Sequence, residues 1–96
     1  MIQMTMDDTK MEIRRNVRDF ILENFLFTND QGALKDADSL IDTGTMDSTG
    51  VLELMMFLEE KFKFKIADEE MLPENLDSVI RIVEFVVQKL AMTGLC

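Results

Sequence analysis

Three serines in this chain follow an aspartate: Asp38-Ser39, Asp47-Ser48 and Asp77-Ser78. An Asp-Ser pair at the start of a helix can do two kinds of chemistry. Its side-chain oxygens can accept hydrogen bonds from the unpaired amides of the first turn. Its hydroxyl can also be the point where another group is covalently attached. The chain offers little else that reacts. It has no His, Trp or Tyr, and its single Cys is the last residue, Cys96. Without His there is no imidazole base and no imidazole metal ligand. Only Lys35 stands in the loop near Ser48, so hydrolysis with Ser48 as nucleophile lacks a base. One thiol forms no internal disulfide, and Cys96 reads as an exposed terminal thiol.

Context separates the three pairs. Asp77-Ser78 directly precedes a helical stripe of Val79, Ile82, Val83, Val86 and Leu90, and capping explains it. Asp38-Ser39 leads into Ile41-Asp42-Thr43-Gly44, which is too short and turn-like for a long helix. Ser39 with Asp42 has the spacing of a capping box for one isolated turn. Asp47-Ser48 alone follows a glycine turn and precedes a long stripe, Val51, Leu54, Met55, Leu58 and Phe62. A calcium loop starting at Asp36 fails on spacing. Its fifth position is Leu40, its sixth is Ile41 where a turn glycine is needed, and its twelfth is Asp47 in place of Glu.

The elements that must position Ser48 read as helices. At 96 residues the chain fits one domain, 1–96, with an ordered core of about 8–90. A first helix begins after Asp7, Asp8 or Thr9 and buries Ile13, Val17, Phe20, Ile21 and Phe25, with Arg14 and Arg18 together off that stripe. A long loop, 28–46, carries the turn signal Asn29-Asp30-Gln31-Gly32. Leu34, Leu40 and Ile41 are its candidate anchors. Helix two spans 48–62. Lys61 to Ile66 alternates polar and apolar, but no second strand pattern pairs with it, so it reads as an extended connector with Phe64 and Ile66 turned inward. Pro73 opens a short third helix or turn, and the last helix starts near Asp77-Ser78. The expected fold is all-α, a small bundle of three main helices plus one short one. Its core is Ile13, Val17, Phe20, Ile21, Leu54, Leu58, Phe62, Ile66, Val79, Val83 and Val86.

Charge is concentrated around Ser48. The net charge is −9, and residues 36–60 hold seven acids and no Lys or Arg. The flanking thirds are nearly balanced. An acidic surface of this kind is either a solvated face or a steering surface for basic partner proteins. It disfavours nucleic acid, whose phosphates it repels. The N-terminus has no basic n-region or long apolar run of a signal peptide. The longest apolar-rich stretch, 79–92, is too short and too charged to span a membrane. The cytoplasm is the expected compartment.

Asp47-Ser48, the helix Val51-Leu52-Glu53-Leu54-Met55-Met56-Phe57-Leu58-Glu59-Glu60-Lys61-Phe62 and the later Ile66-Ala67-Asp68-Glu69-Glu70 resemble the acyl carrier protein family, from the first helix to about Leu90. The resemblance implies that Ser48 carries 4′-phosphopantetheine, covalently installed from coenzyme A by a phosphopantetheinyl transferase, with Asp47 helping that enzyme engage. The arm's thiol then holds an acyl or aminoacyl cargo as a thioester. The protein is accordingly not an enzyme but a carrier, expected to be a monomer, and no metal is called for. Thr49, Leu52, Glu53, Met56, Phe57 and Glu60 are the candidate partner-binding residues. Glu53 and Glu60 share a face off the core stripe and suit basic docking surfaces. Leu52 and Met56 are either an apolar contact strip or part of a broad core. Phe57 falls on the outward side, unless the long loop covers it.

The chain also departs from fatty-acid carriers. Thr49 stands where a bulky aliphatic residue is usual, Phe57 replaces a small residue, and Lys61, Lys63 and Lys65 add positive charge. Gly50 weakens the first helical turn by up to about 1 kcal/mol relative to Ala, which suggests an adjustable helix start. These departures point to a specialised stand-alone carrier for D-alanyl, aminoacyl or dedicated acyl groups, loaded by an adenylating ligase. The competing reading keeps the same fold as an unmodified helical protein-interaction adaptor.

Overall fold

The computed structural model describes residues 6–70 and 73–92. Cys96 and the N-terminal five residues lie outside them. The order of elements is α1 (Met6–Ile21), a π-helical turn (Leu22–Leu26), a 3-10 turn (Gln31–Ala33), α2 (Ser48–Phe62), a second 3-10 turn (Asp68–Glu70), α3 (Pro73–Leu76) and α4 (Val79–Met92). Among the described residues there is no strand. The all-helical expectation holds, with three main helices and the short one at Pro73.

The core follows the predicted stripes. Ile13, Val17, Ile21, Leu54, Leu58, Val79, Val83 and Val86 are buried, while Phe20, Phe62 and Ile66 pack against them half-buried. Leu22 and Phe85 are buried as well. α1 is already helical at Met6, ahead of the three candidate caps. Its far end lies where the stripe to Phe25 and the loop from 28 place it, but residues 22–26 form a wider π turn and not a continuation of the α-helix. That turn closes on Phe27, which adopts the left-handed conformation (φ 53°, ψ 43°) and donates its amide to the Leu22 carbonyl. The Thr28 amide reaches the same carbonyl at 3.1 Å. A left-handed backbone costs a bulky residue roughly 1 kcal/mol.

The loop between α1 and α2 is tied down at two places. At the first, Arg18 is buried, only 5% exposed. Its Nη1 donates to the Leu34 carbonyl at 2.9 Å and to Asp36 Oδ1 at 2.6 Å. Nη2 donates to the Gln31 carbonyl at 2.6 Å, and Nε to Gln31 Oε1 at 3.2 Å. Arg14 Nε donates to the other Asp36 oxygen. The rigid guanidinium fork thus satisfies several loop acceptors at once, which makes its burial tolerable. At the second place, the Ser39 hydroxyl donates to Asp77 Oδ2 at 2.6 Å, and the Ile41 amide to Asp77 Oδ1 at 3.1 Å. The Leu40 amide donates to the Asp77 carbonyl at 2.6 Å. Leu34 and Leu40 are buried as anchors, but Ile41 is exposed, because its amide rather than its side chain is the part turned to Asp77.

The connector after α2 behaves as expected. Lys63 ends the helix in the left-handed region, its amide donating to the Glu59 carbonyl. Phe64 is buried, with its ring against those of Phe62 and Phe85. Glu59 Oε2 accepts the Ile66 amide at 2.8 Å, and Lys89 Nζ donates to Glu70 Oε1 at 2.8 Å. Ser78 caps α4 by accepting the Arg81 amide at 3.2 Å.

Two stability predictions follow from these ties. Replacing Arg18 by Met keeps apolar bulk but strands Asp36 and the loop carbonyls. Urea unfolding should show a loss of about 3 kcal/mol, as for breaking a buried ion pair from one side. The second concerns acid. Burial pushes the Asp36 carboxyl up, but the hydrogen bonds and charges of Arg14 and Arg18 outweigh it and hold the group below its ordinary value. Lys89 and the Ala67 amide do the same for Glu70. A depressed carboxylate stabilises the fold above its unfolded pKa of about 4 and loses that contribution as pH falls through the folded value. Stability measured by urea titration should decline as pH drops below about 4, and Asp36→Asn should flatten that decline.

Candidate functional site

Asp47 and Ser48 sit at the first turn of α2. Asp47 is extended (φ −109°, ψ −172°) and its Oδ1 accepts the Gly50 amide at 2.8 Å. The Asp47 carbonyl accepts the Val51 amide at 3.0 Å. Asp47 is therefore the cap, and Ser48 is the first helical residue. The Ser48 side chain is exposed. The first four amides of an α-helix have no intrahelical partner. Asp47 takes that of Gly50, which leaves those of Ser48 and Thr49 pointing out of the N-terminal end. The helix dipole places partial positive charge at the same spot.

The other two Asp-Ser pairs are occupied by structure. Ser39 donates to Asp77 and accepts the Asp42 amide at 3.0 Å. Ser78 is buried as the cap of α4. Of the three serines, only Ser48 is presented outward at the start of a long helix.

Gly50 has a different meaning from the one its type suggests. It is buried, and a Cβ built on it would lie 2.7 Å from Met46 Cγ and 2.8 Å from Phe25 Cε1. The missing side chain is the seat for a ring from the π turn and a buried methionine from the loop. This first turn is wedged from two sides rather than left adjustable. Phe25 in turn meets Phe20 edge-on, with ring centroids 5.8 Å apart. Phe20 stacks on Phe57 at 4.2 Å with the planes 15° apart. An aromatic chain thus runs from α1 through the π turn to α2.

That chain corrects the expectation for Phe57. Its ring is half-buried against Phe20 and does not stand outward; α1, not the long loop, covers it. Leu52 and Met56 resolve the other way. They are 49% and 68% exposed, so they are an outward strip and not core. At about 100° per residue, Thr49, Glu53 and Glu60 fall beside them on the same helix face, and all three are exposed. The outward face of α2 therefore carries the Leu52–Met56 strip edged by two carboxylates, with Ser48 at its N-terminal end. Phe25 and Met46 were missed as positioning residues. The signal for them was Gly50 itself, since a glycine inside a helical pattern marks close approach of another group.

No protein-family model matches the chain. Curated relatives do. The D-alanyl carrier protein of Streptococcus uberis is 39% identical over 70 residues, covering 71% of this chain and 87% of the relative. The acyl carrier protein of Campylobacter hominis is 37% identical over 76 residues, covering 79% and 91%. The D-alanyl carrier protein of Streptococcus sanguinis is 33% identical over 78 residues, covering 81% and 95%.

The seating of α2 gives a prediction that opposes helix propensity. Gly50→Ala should favour the isolated helix by up to about 1 kcal/mol. In the folded protein its methyl must displace Phe25 and Met46, and overpacking of this kind costs 1–3 kcal/mol. Thermal unfolding should show a lower midpoint for the variant; a raised midpoint would mean that the wedge yields freely.

Proposed function

The chain belongs to the acyl carrier protein family, and from that premise we propose that Ser48 carries a 4′-phosphopantetheine arm. The observation that carries the reading is the exposed Ser48 hydroxyl at the first position of α2. A phosphodiester formed there lies beside the amides of Ser48 and Thr49 and the positive end of the helix. Asp47 holds its carboxylate on the Gly50 amide, which fixes the turn that presents the hydroxyl. The protein is a carrier, not itself an enzyme. The arm supplies the thiol on which cargo rides as a thioester, and the chain supplies position and address.

The outward face of α2 is the address. The Leu52–Met56 strip gives apolar contact with an adaptable methionine. Glu53 and Glu60 attract partners with basic docking surfaces and speed their encounter. Those partners are a phosphopantetheinyl transferase, which loads the arm from coenzyme A, and an adenylating acyl or aminoacyl ligase or another acyl-transferring enzyme. The relatives named D-alanyl carrier proteins favour an activated amino acid as cargo, and those named acyl carrier proteins a carboxylic acid; both are acyl groups held in the same way. No described helix is long and apolar enough to cross a membrane. A monomer in the cytoplasm suits a carrier that visits several enzymes.

Intact mass tests the attachment. The apo-protein, coenzyme A and a broad-specificity phosphopantetheinyl transferase should give a gain of one phosphopantetheine. Ser48→Ala should abolish the gain, and Ser39→Ala should keep it. An unchanged wild-type mass would favour the unmodified adaptor.

A further inference from the structure

Among the described residues, Phe27 is the most exposed of the large apolar side chains, at 82%. It is also held in a left-handed backbone (φ 53°) that bulky side chains disfavour. The exposure is fixed rather than loose. The amides of Phe27 and Thr28 both donate to the carbonyl of Leu22, a residue locked in the core. Lys63 ends α2 in the same conformation, as helix termini often do. What sets Phe27 apart is that its capping position displays a large apolar ring.

The segment that displays Phe27 is braced on the helix that bears Ser48. Two residues earlier, the Phe25 ring fills the space over Gly50, and Phe20 stacks on Phe57. Gly50 and Phe57 lie on one flank of α2, and turning outward from that flank the next residues are Glu53, Glu60 and Thr49. The π turn therefore adjoins the edge of the acidic docking face. The sequence around it is acidic too: residues 19–60 hold ten acids, with Lys35 the only base, although Asp36 among them is taken up by Arg14 and Arg18. An exposed aromatic ring in such a setting has the character of an interface anchor. Aromatic residues, Phe among them, are enriched in interface cores, a few buried residues carry most of the binding energy, and charge sets the approach.

We propose that Phe27 is a docking anchor for the phosphopantetheinyl transferase acting at Ser48, inserting into an apolar pocket of that enzyme edged by basic side chains. This rests on the carrier reading of Ser48. It adds a second contact point, on the α1 side of the serine, to the α2 face. The left-handed backbone supplies a test that separates docking from folding. Asn tolerates that conformation better than Phe, so Phe27→Asn should keep or raise the thermal midpoint while removing the ring.

Initial rates of phosphopantetheine transfer from coenzyme A, by a broad-specificity transferase, are measured against carrier concentration. Phe27→Asn and Phe27→Ala should raise KM for the carrier about tenfold with kcat little changed, the pattern of a lost binding contact. Ile80→Ala, an exposed residue at the start of α4, should leave KM unchanged. Equal KM for wild type and both Phe27 variants would overturn the anchor and leave Ser48 in place. No transfer to the wild type would overturn both. A rise in KM seen only in a variant whose thermal midpoint also falls would mark Phe27 as structural and overturn the anchor.

Discussion

One buried guanidinium sets the terms for the rest of this structure. Twenty-one residues, 27–47, separate the π turn at the end of α1 from α2, and a loop of that length has many ways to lie. Arg18 reduces them by holding the Gln31 and Leu34 carbonyls and the Asp36 carboxylate at once. Asp77 then holds Ser39, Leu40 and Ile41 at the head of α4. Between these two clamps and Ser48 only a short stretch of chain remains, and its Met46 is buried beside Gly50. The charge buried at Arg18 is thus spent on placing a serine in another part of the sequence. Apolar packing in place of a buried ion pair is often compatible with the fold, yet here it would remove the directional bonds that choose one loop path.

The second constraint is aromatic. Phe57, Phe20 and Phe25 form a chain of ring contacts that ends on the bare Cα of Gly50. It spaces α2 from α1 and fixes the rotation of α2 about its own axis. With that rotation set, Leu52, Met56, Glu53 and Glu60 have to face outward. Position of the serine and presentation of the surface around it therefore share one cause. A carrier does no chemistry of its own, so a rigid first turn and a defined outward face are what it can contribute.

Much of this was legible in the sequence because it is periodic. The stripes of Ile13, Val17 and Ile21, of Leu54 and Leu58, and of Val79, Ile82 and Val86 repeat at helical spacing and need no partner to be read. The bounds of α2 were legible for the same reason, aided by a cap that acts within three residues. What escaped was non-local. Arg18 is buried only because distant loop acceptors converge on it, and its place off the apolar stripe says nothing of that. Phe57 looked outward because a helical wheel does not show which neighbour covers a flank. Gly50 read as a local weakness, whereas the Phe25 ring that uses the space arrives from a π turn that propensity does not foresee. Of the candidate site, the serine, its cap and the acidic face were legible, and the rings that brace them were not.

The central claim is that the first residue of α2, out of three serines in look-alike pairs, is the one that carries the arm. Peptide mapping by tandem mass spectrometry of the protein purified from its own cells tests this most directly. The account predicts phosphopantetheine on the peptide containing Ser48, released on fragmentation to leave the mark at that residue. Modification at Ser39 or Ser78, or a protein found unmodified under all growth conditions, would contradict it.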